Sequence, residues 1–138
     1  KVSHHRLHEH FEGIDETIAM SSMYAANHLG ARVVATLTQT GKTALWMSRI
    51  SSNIAIFAMS DNYKTLKKVT IYRGVYPCYI DKTSADDWND VNSHVIENLE
   101  SKAVVARGDV VIVTKGMHKD KSGGTNLMKI LRVGDGNY

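Results

Sequence analysis

Thr38-Gln39-Thr40-Gly41-Lys42-Thr43 places three hydroxyls, a glycine and a lysine within one short turn. Residues of these types suit one task, the holding of a phosphate group. The turn follows a β-branched run and opens a helical one, so the backbone amides of Thr40–Thr43 point along a helix start, where the dipole favours an anion. Gly41 lets the backbone approach closely. Thr38, Thr40 and Thr43 add donors, and Lys42 adds a positive charge. The same residues also suit an ordinary capped turn, and the turn by itself favours neither reading. Its tail, Gly41-Lys42-Thr43, ends like a nucleotide-binding P-loop. That motif needs a glycine five residues before Gly41, where this chain has Thr36, so a small phosphotransferase is the weaker alternative.

A second stretch, Gly116–Asn126, offers Lys119, Lys121, Ser122, Gly123, Gly124 and Thr125. Gly- and Ser-rich backbone can form anion-cradling nests, although alone it reads as a surface loop. Trp88 stands at the start of a helix among Asp86, Asp87 and Asp90, placed either to stack near a ligand or to seal the helix end. His4, His5, His8 and His10 lie in an unpatterned arm without partner cysteines, and accidental metal affinity explains them better than a site. His28 and His94 fall on helices as structural residues, and Trp46 reads as core. The single cysteine, Cys78, excludes an internal disulfide and reads as a buried thiol. Spacing forces no Ser–His–Asp, Cys–His or paired-carboxylate arrangement.

These residues need a scaffold, and the chain of 138 residues fits a single domain. The composition, 43% hydrophobic and 22% charged, is that of a globular protein. No apolar run is long enough to span a bilayer, and the polar start KVSHHRLHEH is no signal peptide. The chain lacks an initiator Met, as though cut from something longer. The net charge of +3 suits a small anionic ligand. It comes without the dense basic stripe or exposed strand aromatics of a nucleic-acid binder. Neither nucleic acid nor membrane is expected as a partner, and the cysteine usage points to the cytoplasm.

Residues 1–13 read as an arm or linker and 14–138 as the domain. Ile14, Ile18, Ala25 and Leu29 keep helical spacing, with an acidic start at Asp15 or Glu16 and a stop at Gly30. Strands are expected at Ala31–Thr38, Asn53–Ser60, Val75–Ile80, Val110–Thr114 and Leu127–Val133, with Pro77 marking an edge. Helices are expected at Thr43–Ile50, at Asn62 to about Thr70 behind an Asp61 cap, and from Ser84 or Asp86 through Lys102. This alternation predicts an α/β three-layer sandwich: a five-stranded mixed sheet in the order 3-2-1-4-5, last strand antiparallel, with helices on both faces. Ligands bind such a sheet at the switch point between strands 1 and 4, where the two Gly-containing loops should face each other.

Five stretches add to this reading: IAMSSMYAANHL, TLTQTGKTALWMSRISSNIAIFAMS, YRGVYP, GDVVIVTKG and GGTNLMKILRV, in that order. Together they closely resemble the C-terminal domain of pyruvate kinases, particularly the bacterial type activated by sugar monophosphates or AMP. The resemblance runs from about Lys1 to Val133. It implies a regulatory domain of a cytoplasmic, homotetrameric enzyme of glycolysis, with the effector's phosphate in the Thr38–Thr43 turn. The loop Lys119–Thr125 would close over the ligand, and the last strand and helical faces would meet other copies. It also implies that catalysis, with Mg²⁺ and K⁺, belongs to a (β/α)₈ barrel outside this sequence. The fragment is then inactive and holds no cofactor. Members activated by fructose 1,6-bisphosphate carry an arginine on the long helix near the position of Val95, so a monophosphate is the expected effector. Many members have Ser–Gly–Arg–Ser where this chain has Thr40, Gly41, Lys42 and Thr43. Lysine keeps the charge but lacks the guanidinium fork. An assembly module with an unused effector site is the alternative within the same family.

Overall fold

The computed structural model describes residues 10–50, 52–81, 88–116, 125–136 and 138. Strands β1 (Val33–Leu37), β2 (Ala55–Ser60), β3 (Val75–Tyr79), β4 (Val110–Gly116) and β5 (Thr125–Arg132) alternate with helices α1 (His10–Leu29), α2 (Lys42–Ser48), α3 (Tyr63–Val69) and α4 (Trp88–Ser101). The strands form one sheet in the order β3-β2-β1-β4-β5. Pairs β1–β2, β1–β4 and β2–β3 are parallel, and β4–β5 is antiparallel. This is the sheet order the alternation of segments predicts.

Every residue of β1 is buried, because side chains leave a strand alternately to two covered faces. Val34, Ile56, Ala58 and Ile112 pack with Ala19, Met23 and Ala26 of α1, Ala44 and Met47 of α2, and Val69 of α3. Val33, Ala35, Leu37, Val111 and Val113 pack on the other face with Val91, Val95, Ile96 and Leu99 of α4. Three helices therefore cover one face and α4 the other. Two alanines on the buried stripe of α1 keep that helix close to the sheet.

Pro77 lies exposed on β3, an edge strand, where its missing N–H breaks no internal ladder. Cys78, beside it, is buried. Most boundaries differ from expectation by a residue or two, β5 running Thr125–Arg132 where Leu127–Val133 is expected, and three differences are informative. Helix α1 begins at His10, so its first turn takes in residues that carry no apolar period; residues 1–9 of the expected arm lie outside the described residues. The cap of α3 is Asn62, not Asp61: its side chain accepts from the N–H groups of Lys64 and Thr65. Strand β4 runs on to Gly116, and a register shift between Lys115 and Gly116 sets Thr125 opposite Gly116.

Candidate functional site

Leu37 is the last residue of β1, and the main chain stays tied to the sheet one residue further, through Thr38 N–H to the Met59 carbonyl at 3.0 Å. The chain then turns sharply. Gly41 N–H donates to Thr38 Oγ1 at 2.8 Å, and Lys42 N–H to Thr40 Oγ1 at 3.3 Å. From α3, the Thr65 hydroxyl donates to the Gln39 carbonyl. The turn is thus closed by its own threonines and pinned from outside by α3, the third element after it.

Gly41 is required here on two counts. Its φ is +83°, a left-handed conformation that side chains resist, and a Cβ would stand 2.8 Å from Val69 Cγ1. It is the N-cap of α2 and offers no side-chain cap. The Leu45 N–H to Gly41 carbonyl bond of 3.0 Å closes the first helical turn.

Thr43 does not lie open at the surface. It is 2% exposed, and its hydroxyl shares a 2.8 Å hydrogen bond with that of Thr125, at the start of β5. The structure therefore brings Thr38, Gln39, Thr40, Gly41, Lys42, Thr43 and Thr125 into one place, at the ends of β1 and β4. Thr38 and Thr40 accept from backbone N–H groups, and a hydroxyl that accepts keeps its own proton to donate. Lys42, Gln39 and Thr40 are half-buried. Lys121, Ser122, Gly123 and Gly124 lie outside the described residues. Trp88 is the first residue of α4, and its side chain lies outside the description as well. Val95 is fully buried against the sheet, so it faces the core and not a ligand.

Sequence reasoning missed a buried polar group on the α4 side. Lys115 is 3% exposed and donates from Nζ to Asn92 Oδ1 at 3.1 Å, with Asn92 itself 1% exposed. In an apolar run, only the failure of VVIVTK to end in an apolar residue hints at it. Also missed were Thr36 and Thr114, register neighbours on β1 and β4. Both are fully buried, and neither hydroxyl has a hydrogen-bond partner. Among the described residues, no group of three or more His, Cys, Asp or Glu is placed to hold a metal ion. No described helix is long and apolar enough to cross a membrane. Burial pushes the Cys78 thiol pKa up, with the Lys102 charge opposing.

Comparison with known proteins agrees with this fold. The family described as "Pyruvate kinase, alpha/beta domain" matches residues 16–131. The chain is 49% identical over 133 residues to a pyruvate kinase of Buchnera aphidicola (subsp. Schizaphis graminum), covering 96% of this chain and 27% of that protein. To pyruvate kinase II of Salmonella typhimurium it is 46% identical, with the same coverage of 96% and 27%. To a pyruvate kinase of Haemophilus influenzae it is 45% identical, covering 83% of this chain and 24% of that protein. The chain thus spans about a quarter of the length of these relatives.

Proposed function

The chain belongs to the pyruvate kinase alpha/beta-domain family, and from that premise we propose that it is the regulatory domain of a pyruvate kinase, binding a phosphorylated effector at the Thr38–Thr43 turn. The parent enzyme would transfer phosphate from phosphoenolpyruvate to ADP in glycolysis, in the cytoplasm. Its Mg²⁺ and K⁺ would sit in a catalytic barrel that is no part of this sequence. The observation that carries the reading is the turn itself. A glycine that nothing else can replace brings the backbone to the switch point, flanked by three threonine hydroxyls and Lys42. An arriving phosphate would accept hydrogen bonds from the Thr38 and Thr40 hydroxyls and pair with the Lys42 ammonium. A sugar monophosphate or AMP is the effector class that the resemblance to bacterial pyruvate kinases suggests.

Self-association belongs to the same reading. Strand β5 is an edge with Ile130 47% exposed, and the outer side of α1 exposes Met20 and Tyr24. Unpaired strand edges and apolar helix faces suit contact between copies in a tetramer. A second reading, an assembly module with an unused effector site, draws support from one observation: the turn is already closed on itself by Thr38 and Thr40. Calorimetry of the domain against ribose 5-phosphate, glucose 6-phosphate, AMP and fructose 1,6-bisphosphate separates the two. Heat with a monophosphate that Lys42→Ala abolishes supports the effector site. No heat with any of the four leaves the assembly reading standing.

A further inference from the structure

Thr65 is buried on α3 and fixed at two points. Its N–H donates to the Asn62 cap at 3.4 Å, and its hydroxyl donates to the Gln39 carbonyl in the Thr38–Thr43 turn. A helical threonine ordinarily returns its hydroxyl to a carbonyl of its own helix. Thr70, at the end of α3, does so, reaching the Lys67 carbonyl at 2.6 Å. Thr65 reaches out of its helix instead.

A carbonyl cannot be turned without turning the amide behind it. The Gln39–Thr40 peptide is trans and planar, so its N–H, which belongs to Thr40, points opposite to its C=O. With the oxygen drawn to α3, the Thr40 N–H faces away from α3. Helix α3 connects β2 to β3, and β4 lies on the other flank of β1. The amide is therefore aimed at the β1–β4 side, where the sheet reverses its winding. That N–H has no partner among the described residues, whereas those of Gly41 and Lys42 are taken by threonine hydroxyls.

Gly41 gives a second, independent sign of the same direction. The space where its side chain would stand is filled by Val69 Cγ1, Thr65 Cγ2 and Tyr72 Cε2, at 2.8, 3.6 and 3.8 Å. Thr65 and Val69 belong to α3, and Tyr72 to the turn after it. The Thr38–Thr43 turn is closed on that side, so a ligand reaches it from the other.

We propose that Thr65 is a positioning residue of the effector site, its hydroxyl holding the Gln39–Thr40 peptide so that the Thr40 N–H is presented to the phosphate. This rests on the reading of the turn as a phosphate site. Thr65 itself touches no ligand. Without its hydroxyl the Gln39 carbonyl loses its partner, and the peptide plane turns to find another in water. The Thr40 N–H then leaves the direction from which a phosphate oxygen accepts. Hydrogen bonds to an anion are among the strong ones, so one misdirected amide is felt.

Inorganic phosphate is the probe, and the backbone amides of Thr40–Thr43 are followed by NMR. The unaltered chain is compared with Thr65→Val, Thr65→Ser and Thr70→Val. In the unaltered chain phosphate should move the Thr40 amide saturably. Thr65→Val keeps the shape of the side chain and removes the hydroxyl. It should displace the Thr40 amide resonance before phosphate is added, and weaken phosphate about tenfold, the loss of one hydrogen bond to a charged group. Thr65→Ser keeps the hydroxyl and loses the methyl beside Gly41, so it should bind phosphate as the unaltered chain does, even where urea shows it less stable. Thr70→Val removes a hydroxyl that serves only α3, and should leave binding unchanged. Phosphate that moves the Gly41–Thr43 amides but not Thr40, or binding that weakens equally in Thr65→Ser and Thr65→Val, overturns the proposal and leaves the phosphate site standing. Phosphate that moves none of the four amides overturns both.

Discussion

Replacing Gly41 by alanine tests the construction of the turn most directly, because the structure supplies its own control. Gly30 and Gly41 both have positive φ, +65° and +83°, but a Cβ on Gly30 meets nothing within 4 Å, whereas on Gly41 it meets Val69 Cγ1 at 2.8 Å. Gly30→Ala should therefore carry only the conformational cost, about 1 kcal/mol. Gly41→Ala should add the cost of overpacking a methyl against a fully buried valine, about 1–3 kcal/mol, for a total of about 2–4 kcal/mol. Urea denaturation should report this as a lower midpoint with an unchanged slope. Val69→Ala alone should cost about 2 kcal/mol as a cavity. Combined with Gly41→Ala, it makes room for the added methyl, so the double variant should be at least 1 kcal/mol more stable than additivity predicts. If the two substitutions add within about 0.5 kcal/mol, contact with Val69 is not what demands glycine, and the argument from close approach fails.

Three further perturbations probe buried polar groups. Thr36→Val and Thr114→Val each remove a buried hydroxyl that has no partner, so each should stabilise the domain by about 1 kcal/mol in thermal denaturation; a loss would mean that water bridges the two strands. Thr43→Val and Thr125→Val should each cost about 1–3 kcal/mol by orphaning the other hydroxyl, while the double variant should cost well under their sum. For Cys78, burial raises the folded-state pKa above the usual 9.0. The unfolded chain therefore ionises first, and the stability present below pH 9 is lost as the pH climbs toward the folded value. Cys78→Ser should flatten that alkaline decline, and iodoacetamide at pH 8 should label the folded thiol far more slowly than the thiol in urea.

What the sequence discloses about this domain depends on the kind of residue asked. The sheet order was readable because each buried strand is a short β-branched run and each helix a period of three and four, and chain-crossing rules leave few arrangements of such segments. The turn was readable because glycine and threonine have local reasons to sit there. Adjacent choices were not: Asp61 and Asn62 are equally good caps by type, and only the geometry that brings Asn62 Oδ1 to Lys64 and Thr65 separates them. Buried polar residues are the hard case. Thr65 reaches Gln39 across 26 positions, Lys115 reaches Asn92 across 23, and Thr43 reaches Thr125 across 82. A periodic pattern reports which face an apolar side chain occupies, and burial alone stabilises it there. A polar side chain is stable in the same place only if a partner arrives, and the partner is delivered by topology from a distant part of the chain. The outline of the Thr38–Thr43 turn could therefore be read from six consecutive residues, while Thr65, which pins it, and Thr125, which binds its last hydroxyl, take their roles only once α3 and β5 are in place.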